Sequence, residues 1–171
     1  IVLARSYEEA LELYEKYSNN ILGVITDARY PKEGIVDPMA GIKLLEEIRK
    51  RDPFVPLILQ SSEVSNAQYA KRYEASFVDK NSKKMNIDLR EIISENFGFG
   101  DFIFRNPDTM EEVARVRNLK ELQNIIFAIP KESLLYHVQR NHVSRWLYSR
   151  AMFPAAEFLK QISWDSLKDV D

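Results

Sequence analysis

Ile21-Leu22-Gly23-Val24-Ile25-Thr26-Asp27-Ala28-Arg29-Tyr30-Pro31 is the stretch whose reading decides the fold. Its apolar run is too short for an ordinary helix and rich in β-branched residues, and it stops at a carboxylate and then a proline. That pattern predicts a buried strand delivering Asp27 to its C-terminal end. In open α/β sheets this is the edge at which ligands bind and chemistry is done.

Working outward, Ile1-Val2-Leu3-Ala4 reads as another strand, and Ser6-Tyr7-Glu8-Glu9 has the spacing of a capping box. Leu11, Tyr14 and Tyr17 follow at helical spacing, so an amphipathic helix is expected from Ser6 to about Tyr17. Downstream of Asp27 a polar loop carries Pro31, Gly34 and Pro38. Ile42, Leu44, Leu45 and Ile48 then restore the helical period, and Arg49-Lys50-Arg51 supplies the positive charge that a helix C-terminus favours. Val55 to Leu59 predicts a second buried strand running into Gln60-Ser61-Ser62-Glu63. A short polar helix over Ser65 to Glu74 and a short strand Ser76-Phe77-Val78-Asp79 come next. Lys84 to Asn96 is expected to be a helix with Ile87, Leu89, Ile92 and Ile93 toward the core.

Short buried strands alternating with helices imply a mainly parallel, doubly wound sheet, because parallel neighbours need crossover connections. Successive strand ends then bring Asp27, Ser61 and Lys80 to one edge. The fold class is α/β over residues 1–97, followed by a small hairpin-and-helix domain over residues 98–171. Phe97-Gly98-Phe99-Gly100 is a hinge-like joint, and Phe102-Ile103-Phe104, the turn Asn106-Pro107-Asp108-Thr109 and Val113 to Val116 form a hairpin. Asn118 caps a helix from Leu119 to about Ala128. Leu134, Leu135, Val138, His142, Trp146 and Leu147 mark a longer helix to about Arg150, and Pro154 opens another with Phe158, Leu159 and Ile162.

Composition narrows the function. A formal charge of −2 gives no bulk attraction to nucleic acid or membrane, and 45% hydrophobic content suffices for a core. The absence of cysteine excludes disulfides, thiolate metal sites and thiol nucleophiles, and agrees with a reducing, cytoplasmic setting. No apolar run is long enough to span a bilayer, and no Gly-rich phosphate loop, nucleophile elbow or catalytic carboxylate pair is present. The expectation is a regulatory protein, not an enzyme in itself.

Asp27 with Ser61 and Lys80 is a set that suits phosphorylation of a carboxylate: nucleophile, hydroxyl donor and cation. Asp27-Ala28-Arg29-Tyr30-Pro31, Pro56-Leu57-Ile58-Leu59-Gln60-Ser61-Ser62 and Phe77-Val78-Asp79-Lys80 resemble the phosphoacceptor, hydroxyl-switch and lysine segments of bacterial response-regulator receiver domains. Gly41-Ile42-Lys43-Leu44-Leu45 resembles the start of their third helix. The resemblance implies a flavodoxin-like sheet, an aspartyl phosphate at Asp27, Phe77 as the aromatic that moves with Ser61, and a histidine kinase or small phosphodonor as partner. It also implies magnesium, held by Asp27, by the backbone carbonyl of Arg29 and by an acidic pair after the first strand, which this sequence lacks. In the strand order 2-1-3-4-5 of such domains, a further strand is expected between those at Ile1 and Ile21, from an upstream segment or another chain. A homodimer is compatible with this.

Gly100-Asp101-Phe102-Ile103-Phe104-Arg105, Ile129 to His137 and Arg140-Asn141-His142 resemble a region that precedes phosphoenolpyruvate-synthase-type nucleotide-binding modules in some large bacterial proteins. That resemblance implies coupling to a downstream phosphotransfer enzyme. The other class of function is a phosphorylation-independent interaction scaffold in which the Trp146 region contacts the partner. His137 and His142, five apart on one helix, are expected to lie well apart around it, in core or hydrogen-bonding roles rather than on a metal. Arg140, Arg145 and Arg150 recur every five residues and form no single basic stripe, so a nucleic-acid helix is not expected.

Overall fold

The polar loop around Gly34 hides an element. In the computed structural model, which describes residues 1–162, Glu33 and Gly34 both have positive φ, 52° and 75°. This is the backbone that two-residue hairpin turns of the I′ kind require. They join β2 (Tyr30–Lys32) to β3 (Ile35–Asp37), an antiparallel pair placed just after β1 (Val24–Asp27). The expected strand at Ile1 to Ala4 is absent: those residues have no regular structure, and Ile1, Val2 and Leu3 are exposed. An apolar run of four makes a strand only where a neighbour pairs with it, and among the described residues none does so.

The remaining elements of the first compact unit, Ile1–Ile92, follow the hydrophobic pattern closely. Helix α1 (Tyr7–Tyr17) is capped by the Ser6 hydroxyl, which accepts from the Glu9 amide. Helix α2 (Ala40–Arg51) buries Ile42, Leu44, Leu45 and Ile48 and keeps its three basic residues in the last turn. Strand β4 (Leu57–Ser61) begins two residues later than the run Val55 to Leu59 predicts and ends in Ser61. A 3-10 turn, Val64–Asn66, leads into the short helix α3 (Ala67–Arg72), and β5 (Ser76–Asp79) completes a three-stranded sheet. Its order is β1-β4-β5, wholly parallel, with Asp27 opposite Gln60 and Ser61 opposite Asp79.

One face of this sheet carries Val24, Leu57, Leu59 and Phe77, and it shares a core with Tyr14 of α1, Ile42, Leu45 and Ile48 of α2 and Ala70 of α3. On the other face Ile58 and Val78 are fully buried, while Ile25 on the edge strand is 43% exposed. Helix α4 (Met85–Asn96) has no fully buried residue, and Ile87, expected to face the core, is 56% exposed. The helical period is present in this segment, but its first turn lies where little apolar surface meets it.

Helix α2 approaches the end of β1 backbone to backbone. The Gly41 amide donates to the Ala28 carbonyl at 3.0 Å. A Cβ on Gly41 would collide with the Asp27 carbonyl oxygen and sit 2.8 Å from its carbonyl carbon. Only glycine lets the helix start this close to the strand that carries Asp27.

The second unit, Ile93–Asp171, is described to residue 162; the last residues of the expected C-terminal domain lie outside the described ones. Strands β6 (Phe102–Arg105) and β7 (Glu112–Val116) pair antiparallel. The Asn106 side chain accepts from the amides of Asp108 and Thr109 to shape their turn. Phe102, Phe104 and Val116 turn inward from the hairpin onto Val138, Val143, Trp146, Leu147 and Ala156. Helix α5 (Leu119–Ile125) is capped by Asn118, whose side chain accepts from the Glu121 amide.

The single long helix expected up to Arg150 is two. Helix α6 (Lys131–Gln139) ends, Asn141 adopts a left-handed backbone with φ 58°, and α7 (His142–Tyr148) starts anew. Asparagine tolerates that conformation better than most residues, which is why the break falls there. Helix α8 (Phe153–Gln161) starts with Pro154 in its first turn.

The joint at Phe97 to Gly100 is held rather than free. Gly98, at φ 82°, lies against Trp146, so that a Cβ would come 2.9 Å from the Trp146 Cα. Its carbonyl accepts from Ser149 Oγ at 2.6 Å and Arg150 at 2.8 Å. The Gly100 carbonyl accepts from Trp146 Nε1 at 3.0 Å and Arg150 at 2.8 Å. The guanidinium stacks 3.9 Å from the Trp146 ring centroid. Trp146 is 1% exposed, so it packs the core instead of presenting a docking face. Among the described residues no helix is long and apolar enough to cross a membrane.

Two glycines are therefore load points. Gly41→Ala is expected to lower unfolding stability by about 1–3 kcal/mol through overpacking. Gly98→Ala should cost at least as much, because it combines a close contact with a left-handed backbone. Urea melts of the two variants measure both effects.

Candidate functional site

Strand ends set the site. Asp27 is the last residue of β1, Ser61 the last of β4, and Lys80 follows the last of β5, so parallel pairing brings all three to one edge. Lys80 Nζ lies 3.1 Å from Asp27 Oδ2, across 53 residues of chain. Both side chains keep substantial exposure, 39% for Lys80 and 44% for Asp27, so the pair is open to solvent. An exposed pair of this kind adds little to stability, commonly about 0–1 kcal/mol. Its significance is the placing of a fixed cation on a carboxylate that solutes can reach.

Ser61 is different: it is 5% exposed. Its Oγ accepts from the Glu63 amide at 3.0 Å and from Asn66 Nδ2 at 3.0 Å. Its carbonyl accepts from the Lys80 amide at 2.9 Å, continuing the β4–β5 ladder past the strand end. Asn81 ties the two loops together again, donating from Nδ2 to the Ser62 carbonyl at 2.9 Å while its amide bonds Asp79 Oδ1. Phe77 is half-buried and packs against the core of the first unit. Arg29 is exposed just beyond Asp27.

The site residues expected from the sequence are Asp27, Ser61, Lys80, Phe77 and Arg29; Asn66 and Asn81 were not expected to hold the strand-end loops. Each asparagine had a signal, since it follows a strand end at a spacing that lets a short side chain reach back. Read alone, however, such residues are ordinary turn formers.

Magnesium takes about six oxygen ligands, with carboxylates prominent among them. Here Lys80 already sits on the carboxylate of Asp27. Among the described residues no group of three or more His, Cys, Asp or Glu side chains could hold a metal ion.

The second unit contains a polar cluster of another character. The break at Asn141 folds α7 back so that His137 Nδ1 and His142 Nδ1 are 3.0 Å apart, not on separate faces of one helix as the spacing predicts. The Arg105 amide donates to His137 Nε2 at 2.9 Å. That nitrogen carries no proton, so neutral His137 is protonated on Nδ1 and donates to His142 Nδ1, and His142 carries its own proton on Nε2. Ligation of a metal by His137 Nδ1 would move the proton to Nε2 and set it against the Arg105 amide. Burial, then Arg105 and Arg140, lowers the His137 pKa to about 4. Burial, then Arg145, His137 and Arg140, lowers that of His142 to about 3.

The three arginines each do local work. Arg145 is 5% exposed, Arg140 stacks 4.1 Å from the Tyr136 ring centroid, and Arg150 holds the Gly98–Gly100 joint. Comparison with models of known families, with curated proteins and with solved structures finds no match.

Both imidazoles bind a proton more weakly in the folded chain than in the unfolded one. The stability they contribute is full above 6.5, and it is lost as the pH falls toward about 4 for His137 and about 3 for His142. The urea midpoint should therefore decline as pH drops below 6.5, with less decline in His142→Gln. Long-range ¹⁵N–¹H spectra at neutral pH should show the Nδ1–H tautomer for His137 and the Nε2–H tautomer for His142.

Proposed function

We propose that the first unit is a signal-receiver module of the two-component kind, with a flavodoxin-like fold, that accepts a phosphoryl group on Asp27. The observation that carries the reading is the Lys80–Asp27 contact at 3.1 Å, made beside a buried Ser61 at the next strand end. An Asp27 carboxylate oxygen attacks the phosphorus of an acyl phosphate or a kinase phosphohistidine. A new O–P bond forms, the bond from phosphorus to the donor breaks, and the donor leaves with its electron pair. Lys80 neutralises charge on the transferring group, and the Ser61 hydroxyl donates to one of its oxygens. The product carries about two negative charges on the phosphoryl group in place of the single charge of the carboxylate, which draws on Ser61 and lets Phe77 follow.

The histidine kinase or small phosphodonor is the partner this chemistry needs. The resemblance of the segments around Phe102 and His137 extends the proposal to coupling with a downstream phosphoenolpyruvate-synthase-like enzyme. A phosphorylation-independent scaffold is the second reading.

Incubation with acetyl phosphate, with and without magnesium, followed by intact-mass spectrometry separates the two. The phosphoacceptor reading expects one added phosphoryl group, absent in Asp27→Asn, and a labelling rate about 100-fold lower in Lys80→Ala. An unlabelled wild-type chain under both conditions would sink it and leave the scaffold.

A further inference from the structure

Asn66 occupies the N-cap position of α3, where an asparagine ordinarily accepts a hydrogen bond from the helix backbone. It makes no such bond: its backbone is helical, at φ −68° and ψ −12°, and its side chain caps nothing. The side chain is nonetheless 6% exposed, and its amide donates to Ser61 Oγ at 3.0 Å. Burying an amide is costly unless it is hydrogen-bonded, so this contact decides where the side chain lies.

A serine hydroxyl has two accepting lone pairs and one hydrogen to give. Both lone pairs of Ser61 are used, one by the Glu63 amide and one by Asn66. Among the described residues no acceptor takes its hydrogen. The Glu63 contact is a local turn bond that any serine at this position could form. The Asn66 contact reaches back from a different element, five residues on. Together they leave the hydroxyl able to donate and unable to accept. That polarity matches an oxygen bearing negative charge, and the Ser61 residue is backbone-bonded to Lys80, whose ammonium holds Asp27.

We propose that Asn66 is a positioning residue that sets Ser61 as a hydrogen-bond donor toward an anionic phosphoryl oxygen at the Asp27–Lys80 edge; this rests on the reading of Asp27 as phosphoacceptor. Asn66→Asp reverses the polarity at nearly constant shape, because the carboxylate accepts the Ser61 hydrogen in place of the incoming phosphoryl oxygen.

The test uses the full chain as wild type, Ser61→Ala, Asn66→Ala and Asn66→Asp, with thermal melts to establish that each is folded. In ¹⁵N spectra, Ser61→Ala should shift the Asn66 side-chain amide signals and speed their exchange with water; unchanged signals overturn the contact and the proposal. With acetyl phosphate, Asn66→Asp should reproduce the loss seen in Ser61→Ala, about tenfold in labelling rate, from one missing charge-assisted hydrogen bond. Asn66→Ala should fall between these and wild type. A folded Asn66→Asp that labels like wild type overturns the proposal. Failure of the wild type to label defeats the phosphoacceptor reading, and with it the role of the Ser61 hydrogen. The amide signals then report independently whether Asn66 holds Ser61.

Discussion

The approach of Gly41 to the Asp27 carbonyl governs the geometry of the first unit. Strand β1 ends at Asp27, and its next residue, Ala28, still accepts from the first turn of α2 at 3.0 Å. Helix and strand end are thereby joined backbone to backbone, with no side chain between them. The position of α2 sets that of Ile42, Leu45 and Ile48, the side chains on which one face of the sheet is packed. The same contact fixes the height at which Asp27 leaves the sheet. Lys80, delivered by β5 two strands away, meets it because the parallel register puts all the strand ends at one level.

Two polar clusters obey opposite physics. At the sheet edge the charged pair is wet, so neither partner has paid much desolvation, and both remain available to a solute. In the second unit His137 is buried and His142 half-buried, and a positively charged imidazole there would face Arg105, Arg140 and Arg145 with little solvent to screen it. The histidines therefore stay neutral and act as a directed chain of hydrogen bonds from the Arg105 amide on β6 to α6 and α7. The first arrangement suits chemistry and the second suits architecture. Arg150 belongs with the second: it spends its donors on the Gly98 and Gly100 carbonyls and its face on Trp146, so a segment rich in glycine becomes one of the better-held parts of its unit.

Much of this was legible beforehand because burial and local chemistry act residue by residue. The β-branched run to Asp27, the serine cap of α1, the asparagine cap of α5 and the aromatic alternation of Phe102 and Phe104 each announce their element directly. The order of Asp27, Ser61 and Lys80 along the chain already implied a common edge, since parallel strands can end nowhere else together. The elements misread were those whose local signal is weak or ambiguous. Ile1 to Ala4 has strand composition and, among the described residues, no strand partner. Glu33-Gly34 was a turn within a segment too polar to read as strand, though it closes a hairpin. Asn141, inside an otherwise unbroken helical period, is where the chain turns.

What the sequence by itself determined is the three strands of the parallel sheet, the capped helices and the residues at the strand ends, because hydrophobic periodicity and capping are local properties. Only the tertiary structure decided which polar atoms meet: Asn66 with Ser61, His137 with His142, Arg150 with the Gly98 and Gly100 carbonyls. Hydrogen bonds are short-range and directional, so a change of one backbone angle, as at Asn141, re-pairs side chains that spacing alone would set apart.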